Sequence, residues 1–359
     1  MPDLTGMMAG AFMRRPPEGS LLLAAPPFQA RKAQRYSDAL ILSGGGQWGA
    51  YGAGVIAGWT GRGRLPARIT TGISTGALQA TFAYLGPRHD RQLLDAYAIT
   101  KESQLVDRHN SWFFLTHASV ADTAPLKRFI GSHIAPLLDA VASEHDRSGR
   151  ALFVGAVDAL TGQFRMFDLG AIASTLSGQE RNDCYTAALL ASSAVPVVFR
   201  QITINGRPWL DGGIRKSVLI PDAVEQIAKA RRMAARTNEM ISTDGRIYAL
   251  RNGTVAPDLI DELPAQLLPT LSRLRTILFN QVDQDSLDLA AIYAKCAKLI
   301  LLTTTADGWN REPRLPQCRG QDPMRRSLIF DPSFMACLTA FGRHRWNANR
   351  RPWAEYASP

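Results

Sequence analysis

From Ala39 to Gly61 the chain runs for 23 residues without one charged side chain, and eight of those residues are glycine. A stretch that long and uncharged is long enough to span a bilayer as a helix. Its glycines argue otherwise, because each weakens a helix by about 1 kcal/mol relative to alanine. They cluster after Ala39-Leu40-Ile41-Leu42, a short apolar run of the kind that forms a buried parallel strand. The better solution is a buried strand, a glycine loop, and a small-residue helix from Gln47 to Trp59 lying close on a sheet. In the loop Ser43-Gly44-Gly45-Gly46-Gln47-Trp48-Gly49, backbone amides are left uncovered by side chains. They sit where a helix N-terminus favours negative charge.

A second glycine-framed element follows. Arg68 to Ile73 is rich in β-branched residues and reads as a strand, and Ala77 to Leu85 reads as a helix. Between them stands Gly72-Ile73-Ser74-Thr75-Gly76. Glycines on both sides allow the sharp strand-to-helix turn that pushes a serine Oγ clear of the sheet. An exposed hydroxyl beside free amides is the pairing that acyl transfer requires.

Ser74 then needs a base. His89, His109, His117, His133 and His145 fall in the helices and loops, centred on Asp90 to Glu144, that read as covering one face. His344 alone could close a Ser–acid–His order, and it lies in an arginine-rich tail without a supporting motif. A carboxylate acting directly on the hydroxyl is the alternative, and Asp211 is its candidate. It ends a hairpin (Ile202 to Leu210) and is followed by Gly212-Gly213. Asp-Gly-Gly is also an ordinary turn sequence. The elbow and the loop upstream give it a chemical reading.

Gly44 to Gly49, Gly72 to Gly76 and Asp211-Gly212-Gly213, with Ala191-Ser192-Ser193-Ala194-Val195-Pro196 before the hairpin, resemble the patatin-like phospholipase family over roughly residues 38 to 225. The resemblance implies an α/β fold, a three-layer α/β/α sandwich with a mostly parallel central sheet. It implies Ser74 as nucleophile and Asp211 as its base, with the amides of Gly44, Gly45 and Gly46 as oxyanion hole and Gly72 and Gly76 framing the elbow. The implied reaction is hydrolysis of lipid acyl esters, of phospholipase A or lysophospholipase type, through an acyl-enzyme without cofactor or metal. Two departures stand out. Trp48 occupies a place where the family usually carries a basic residue, matching a Gly-Gly-Gly-Gln-Trp-Gly subgroup. Ile214-Arg215-Lys216-Ser217 replaces an Asn-x-Pro-like stretch.

The rival readings are weaker. Gly44-x-Gly46-x-x-Gly49 also fits a dinucleotide fingerprint, which expects an acidic residue about 20 positions on. No Asp or Glu occurs between Ala50 and His89. A catalytically silent lipid-binding protein on the same fold is the other alternative, and retention of Ser74, Asp211 and the glycines argues against it. The formal charge of +10 suits anionic partners. Arg231-Arg232, Arg325-Arg326 and Arg350-Arg351 are dispersed, with no nucleic-acid module around them. Leu267, Leu268, Leu271, Leu274, Ile277 and Leu278 recur at helical spacing near Arg273 and Arg275, a stripe that commonly marks a core face and would also suit peripheral contact with an anionic membrane.

The remaining expectations concern organisation. Residues 1–36 read as an irregular Pro-, Gly- and Arg-rich arm, 37–310 as the catalytic domain, and 311–359 as an irregular basic extension. Cys184, Cys296, Cys318 and Cys337 show no paired spacing, which argues against a disulfide framework or zinc site. The apolar run Leu21 to Ala25 is too short for a secretion signal, and no lipoprotein cysteine stands near the start. The expectation is a cytoplasmic or peripheral membrane protein.

Overall fold

The structure, a computed structural model, describes residues 13–14, 36–108, 119–219, 223, 227, 244–257, 267–321, 329–346 and 352–357. Its strands are β1 (Met13–Arg14), β2 (Ser37–Leu42), β3 (Ala67–Gly72), β4 (Asp107–Arg108), β5 (Ser119–Asp122), β6 (Ala151–Asp158) and β7 (Phe164–Asp168), then β8 (Val197–Phe199), β9 (Ile202–Ile204), β10 (Arg207–Asp211), β11 (Arg246–Leu250), β12 (Ile300–Thr304) and β13 (Ala354–Glu355). The helices are α1 (Gly49–Gly58), α2 (Thr75–Leu85), α3 (Asp90–Tyr97), α4 (Ala124–His133), α5 (Leu138–Ser148), α6 (Leu169–Thr175), α7 (Gly178–Ser192), α8 (Leu267–Cys296) and α9 (Pro332–His344).

The main sheet runs β1-β7-β6-β3-β2-β11-β12-β13, with β10 also pairing with β6 and β9 joined to β10. Its central strands β6, β3, β2, β11 and β12 are parallel, and antiparallel strands flank them. Alternation along β2 divides the interior. Leu40 and Leu42 face one apolar cluster with α1, α2 and α9, while Ala39 and Ile41 face another containing Leu287, Ala290 and Ala294 of α8. Tyr248 with Leu250, and Ile247 with Ala249, repeat the division on β11. Side chains of period two thus feed both faces, so helices must cover both, giving three layers.

Helix α1 explains its own composition. A Cβ on Gly54 would run into the carbonyl of Thr339 on α9, and one on Gly342 would run into that of Tyr51 on α1. The two helices therefore meet backbone against backbone.

Several expectations need correction. The stretch after Thr304 is not simply irregular: Asp331 caps α9 by accepting the Ser333 N–H at 2.8 Å, and Phe334, Leu338 and Phe341 of that helix are buried. Cys318 and Cys337 are joined by a disulfide across 19 residues. Their spacing carries no motif because only the packing of α9 brings them together. The region from Asp90 to Glu144 contains β4 and β5, which form a small second sheet with β8, besides its helices. Strand β11 has no counterpart among the expected elements. The expected helix Pro221 to Arg232 lies outside the described residues, apart from Ala223 and Ile227, which are buried against the α8 face. The N-terminal arm lies outside them too, except Met13–Arg14, paired with β7, and Tyr36. No helix among the described residues is long and apolar enough to cross a membrane.

Candidate functional site

Sheet register brings the motifs together. Leu42, where β2 gives way to the glycine loop, pairs with Gly72, where β3 gives way to the elbow. Gly72 is level with Val154 on β6. Two residues further along β6, Ala156 pairs with Asp211 at the end of β10. Loop, serine and aspartate thus emerge at one edge of neighbouring strands, where open α/β sheets place their ligands.

The elbow is strained and sterically closed. Ser74 has φ 54° and ψ −122°, a conformation an L-residue reaches only when its surroundings impose it. A Cβ on Gly72 would strike the carbonyl of Gly76, and one on Gly76 would strike that of Leu42. Both framing glycines are therefore required by close backbone approach. The Ser74 N–H donates to Ser192 Oγ at 3.1 Å, and Ser193 Oγ donates to the Ser74 carbonyl at 3.4 Å. The Ala194 carbonyl, next in the chain, accepts the Asp211 N–H at 3.0 Å. One segment at the end of α7 thus positions both Ser74 and Asp211.

Asp211 is fully buried. Its Oδ1 accepts the Gly213 N–H at 2.7 Å, and its Oδ2 has no hydrogen-bond partner among the described residues. Burial pushes its pKa up to about 7. The nearby Ser74 hydroxyl, the Gly213 N–H and the positive charge of Arg275 each pull it down, by less. The Ser74 hydroxyl makes no completed hydrogen bond to the carboxyl, whose Oδ2 stays without a partner among the described residues. Such bonds often tighten only when substrate binds. Gly212 and Gly213 are close-packed: a Cβ on Gly213 would lie 2.7 Å from the Phe279 ring of α8.

The glycine loop is open toward Ser74. Gly45 has φ 152° and Gly46 φ 57°, and among the described residues the N–H groups of Gly44, Gly45 and Gly46 meet no acceptor. A Cβ on Gly44 would meet Ser74 Cβ at 3.6 Å. The loop is braced from behind. Asn252 donates from its backbone N–H to Ser43 Oγ at 2.8 Å, and from Nδ2 to the Ser43 carbonyl at 2.7 Å and Gln79 Oε1 at 3.1 Å. Gln79 Nε2 in turn donates to the Gly49 carbonyl at 2.5 Å.

A pocket that opens to solvent adjoins Ser74 and Gly46. Leu78, Phe129, Phe199, Phe330 and Met335 line it, so its wall is apolar. Tyr97, also on the wall, bonds Thr75 Oγ1 at 2.8 Å and donates to the Thr75 carbonyl at 3.0 Å.

The histidines stand elsewhere. His89 bonds Gln92, His133 bonds the Phe129 carbonyl, His145 bonds the Arg150 carbonyl, and His344 Nε2 lies 3.4 Å from Glu312. His109 and His117 lie outside the described residues. Among the described residues no His, Cys, Asp and Glu side chains gather in a group suited to a metal.

The sequence reading named Arg275 only as a neighbour of the apolar stripe and did not connect it with Asp211. It turns inward, where burial lowers its pKa and the charge of Asp211 opposes that fall. Leu274, Ile277 and Leu278 of the same helix are exposed rather than part of the core. Ser43, Gln79 and Asn252 were missed as well, for want of any local motif.

Residues 40–224 match the model of a family described as Patatin-like phospholipase. No curated protein matches the chain.

Proposed function

This chain belongs to the patatin-like phospholipase family, a family of lipid acyl hydrolases, and from that premise we propose that it cleaves lipid acyl esters with Ser74 as nucleophile and Asp211 as base. The substrate class is a phospholipid or lysophospholipid, attacked at an acyl ester in the manner of a phospholipase A. The observation that carries this reading is the buried Asp211 carboxyl beside the Ser74 hydroxyl, with one oxygen unpartnered and a pKa near neutrality.

Proton transfer is most efficient when the base has a pKa close to the working pH. An exposed aspartate would be too weak a base, and burial supplies the increase. Asp211 takes the Ser74 proton as Oγ forms its bond to the ester carbonyl carbon. The carbonyl oxygen gains negative charge and is held by the N–H groups of Gly44, Gly45 and Gly46. Such preorganised donors are each worth about 10²–10³ in rate. The intermediate collapses by breaking the bond to the leaving alcohol, which receives the proton from Asp211. The same carboxylate then deprotonates water, which attacks the acyl-Ser74 ester, releases the fatty acid and regenerates the serine.

The test is hydrolysis of a medium- or long-chain ester, and of phospholipid, by purified protein. Ser74→Ala and Asp211→Asn should each abolish turnover with the fold intact. Full activity in either variant would sink the dyad. Loss in His344→Ala with Asp211→Asn active would favour a triad in its place.

A further inference from the structure

The family match ends at residue 224, yet part of the pocket beside Ser74 is built from beyond it. Phe330 and Met335 share that apolar space with Leu78, Phe129 and Phe199. The segment that carries them is fastened to the glycine loop itself. Gln47 Oε1 accepts the Asp331 N–H at 3.0 Å. Trp48 packs edge-on against Phe334 and Trp309, with ring centroids 5.0 and 5.9 Å away, and those two rings meet each other at 4.9 Å. On the other side, Glu102 accepts the N–H groups of Ile329 at 2.5 Å and Phe330 at 3.2 Å. The Cys318–Cys337 disulfide ties the preceding loop to α9.

The two bulky side chains of Gly-Gly-Gly-Gln-Trp-Gly are therefore engaged with the C-terminal segment. The geometry has a consequence for substrate choice. A scissile carbonyl placed between Ser74 and the glycine amides must send its alkyl chain into an apolar space, and the space that touches both Ser74 and Gly46 is this pocket.

We propose that Phe330 and Met335 form the end wall of a fatty-acyl subsite and set the acyl length the enzyme prefers, with Gln47 and Trp48 holding that wall in register with the oxyanion loop. This rests on the hydrolase reading of the same site. Burying one more methylene in an apolar site changes kcat/KM by about fourfold, so the size of the wall translates directly into a chain-length optimum.

The experiment measures kcat/KM of the full chain on p-nitrophenyl esters from butyrate to palmitate. Phe330→Ala should move the optimum to longer chains, by about fourfold for each methylene newly accommodated. Phe330→Trp should move it to shorter ones, and Phe330→Leu, the mildest truncation, should lengthen it by less than alanine. Gln47→Ala, which frees the wall without touching the pocket, should flatten the profile. An unchanged optimum in the folded Phe330 variants, or one uniform change at every chain length, would overturn the assignment. Turnover by the wild type with an optimum indifferent to residue 330 overturns the acyl gauge alone. A wild type that hydrolyses none of the esters overturns the hydrolase reading with it.

Discussion

Asp211→Asn should do more than silence the enzyme: at alkaline pH it should strengthen the fold. In the folded chain burial raises the Asp211 pKa from 3.8 to about 7. An acid with a raised folded pKa binds its proton more tightly folded than unfolded. Its native state is therefore unpenalised below the ordinary value, loses stability as pH climbs through the window from about 4 to about 7, and stays weakened above it. Each tenfold in the ionisation equilibrium is about 1.4 kcal/mol, so carrying the charged carboxylate above pH 7 costs about 4 kcal/mol. Asparagine has nearly the same shape, can keep an oxygen on the Gly213 N–H, and carries no charge. It does leave Arg275 without its countercharge, which takes back part of the gain. The expected result is a urea midpoint for Asp211→Asn above that of the wild type at about pH 8.5, worth on the order of 2–4 kcal/mol, shrinking toward zero near pH 4. An Asp211→Asn protein no more stable than wild type at alkaline pH would refute the argument, and so would a gain that ignores pH.

Other consequences of the site can be checked separately. The kcat/KM for ester hydrolysis should rise with pH through about 7, as Asp211 ionises, and Arg275→Met, by removing the positive charge that favours the carboxylate, should carry that limb to higher pH; an unmoved limb would separate Arg275 from the chemistry. Ser74→Gly and Ser74→Ala should both be inactive, but at φ 54° glycine escapes strain that alanine bears, so the glycine variant should be the more stable by about 1 kcal/mol in denaturant titration. In Gly45→Ala the new methyl would strike the Asn252 carbonyl, displacing the oxyanion loop, and kcat should fall by about 10²–10³-fold with KM less affected; retained kcat would exclude these amides from the hole. Cys318→Ser should lower stability by about 3 kcal/mol, and a midpoint insensitive to both mutation and reductant would show that the bridge contributes nothing.

The glycine motifs were legible in the sequence and what supports them was not, for a physical reason. An elbow needs Gly72 and Gly76 because backbone atoms collide there, and the glycine loop needs Gly45 because its φ of 152° is closed to other residues. These demands act within a few positions, so they leave motifs. Hairpins, buried strands and the small-residue helix α1 are local in the same sense. The brace behind the loop is not: Asn252 reaches Ser43 from 209 residues away, and any strand ending in Arg-Asn-Gly would look the same without that partner. Cys318 and Cys337, the short strands β4 and β5, and the inward turn of Arg275 are likewise settled by what packs across them. Arg275 shows why amphipathic spacing alone misleads. It lies on a helix with exposed Leu274, Ile277 and Leu278, yet it lies one turn before Phe279, which packs on Gly213, and so belongs to the face toward the dyad.

The same contrast bears on how, in the proposed dyad, an aspartate would work without a histidine. Imidazole titrates near neutrality in water; a carboxylate must be moved there. Burying Asp211 achieves the shift, but only if the surrounding structure tolerates a buried charge, an unpartnered oxygen, a strained serine and uncovered glycine amides at one edge of one sheet. Ser192, Ser193 and Ala194 fix Ser74 and Asp211 to each other, Asn252 and Gln79 fix the loop, and the close contact of α1 with α9 fixes the helix that follows it. Each restraint lies behind the site and leaves Asp211 Oδ2 and the Gly44, Gly45 and Gly46 N–H groups without a partner among the described residues. A site assembled this way can wait with its donors and its base unspent until an ester carbonyl supplies the missing partner.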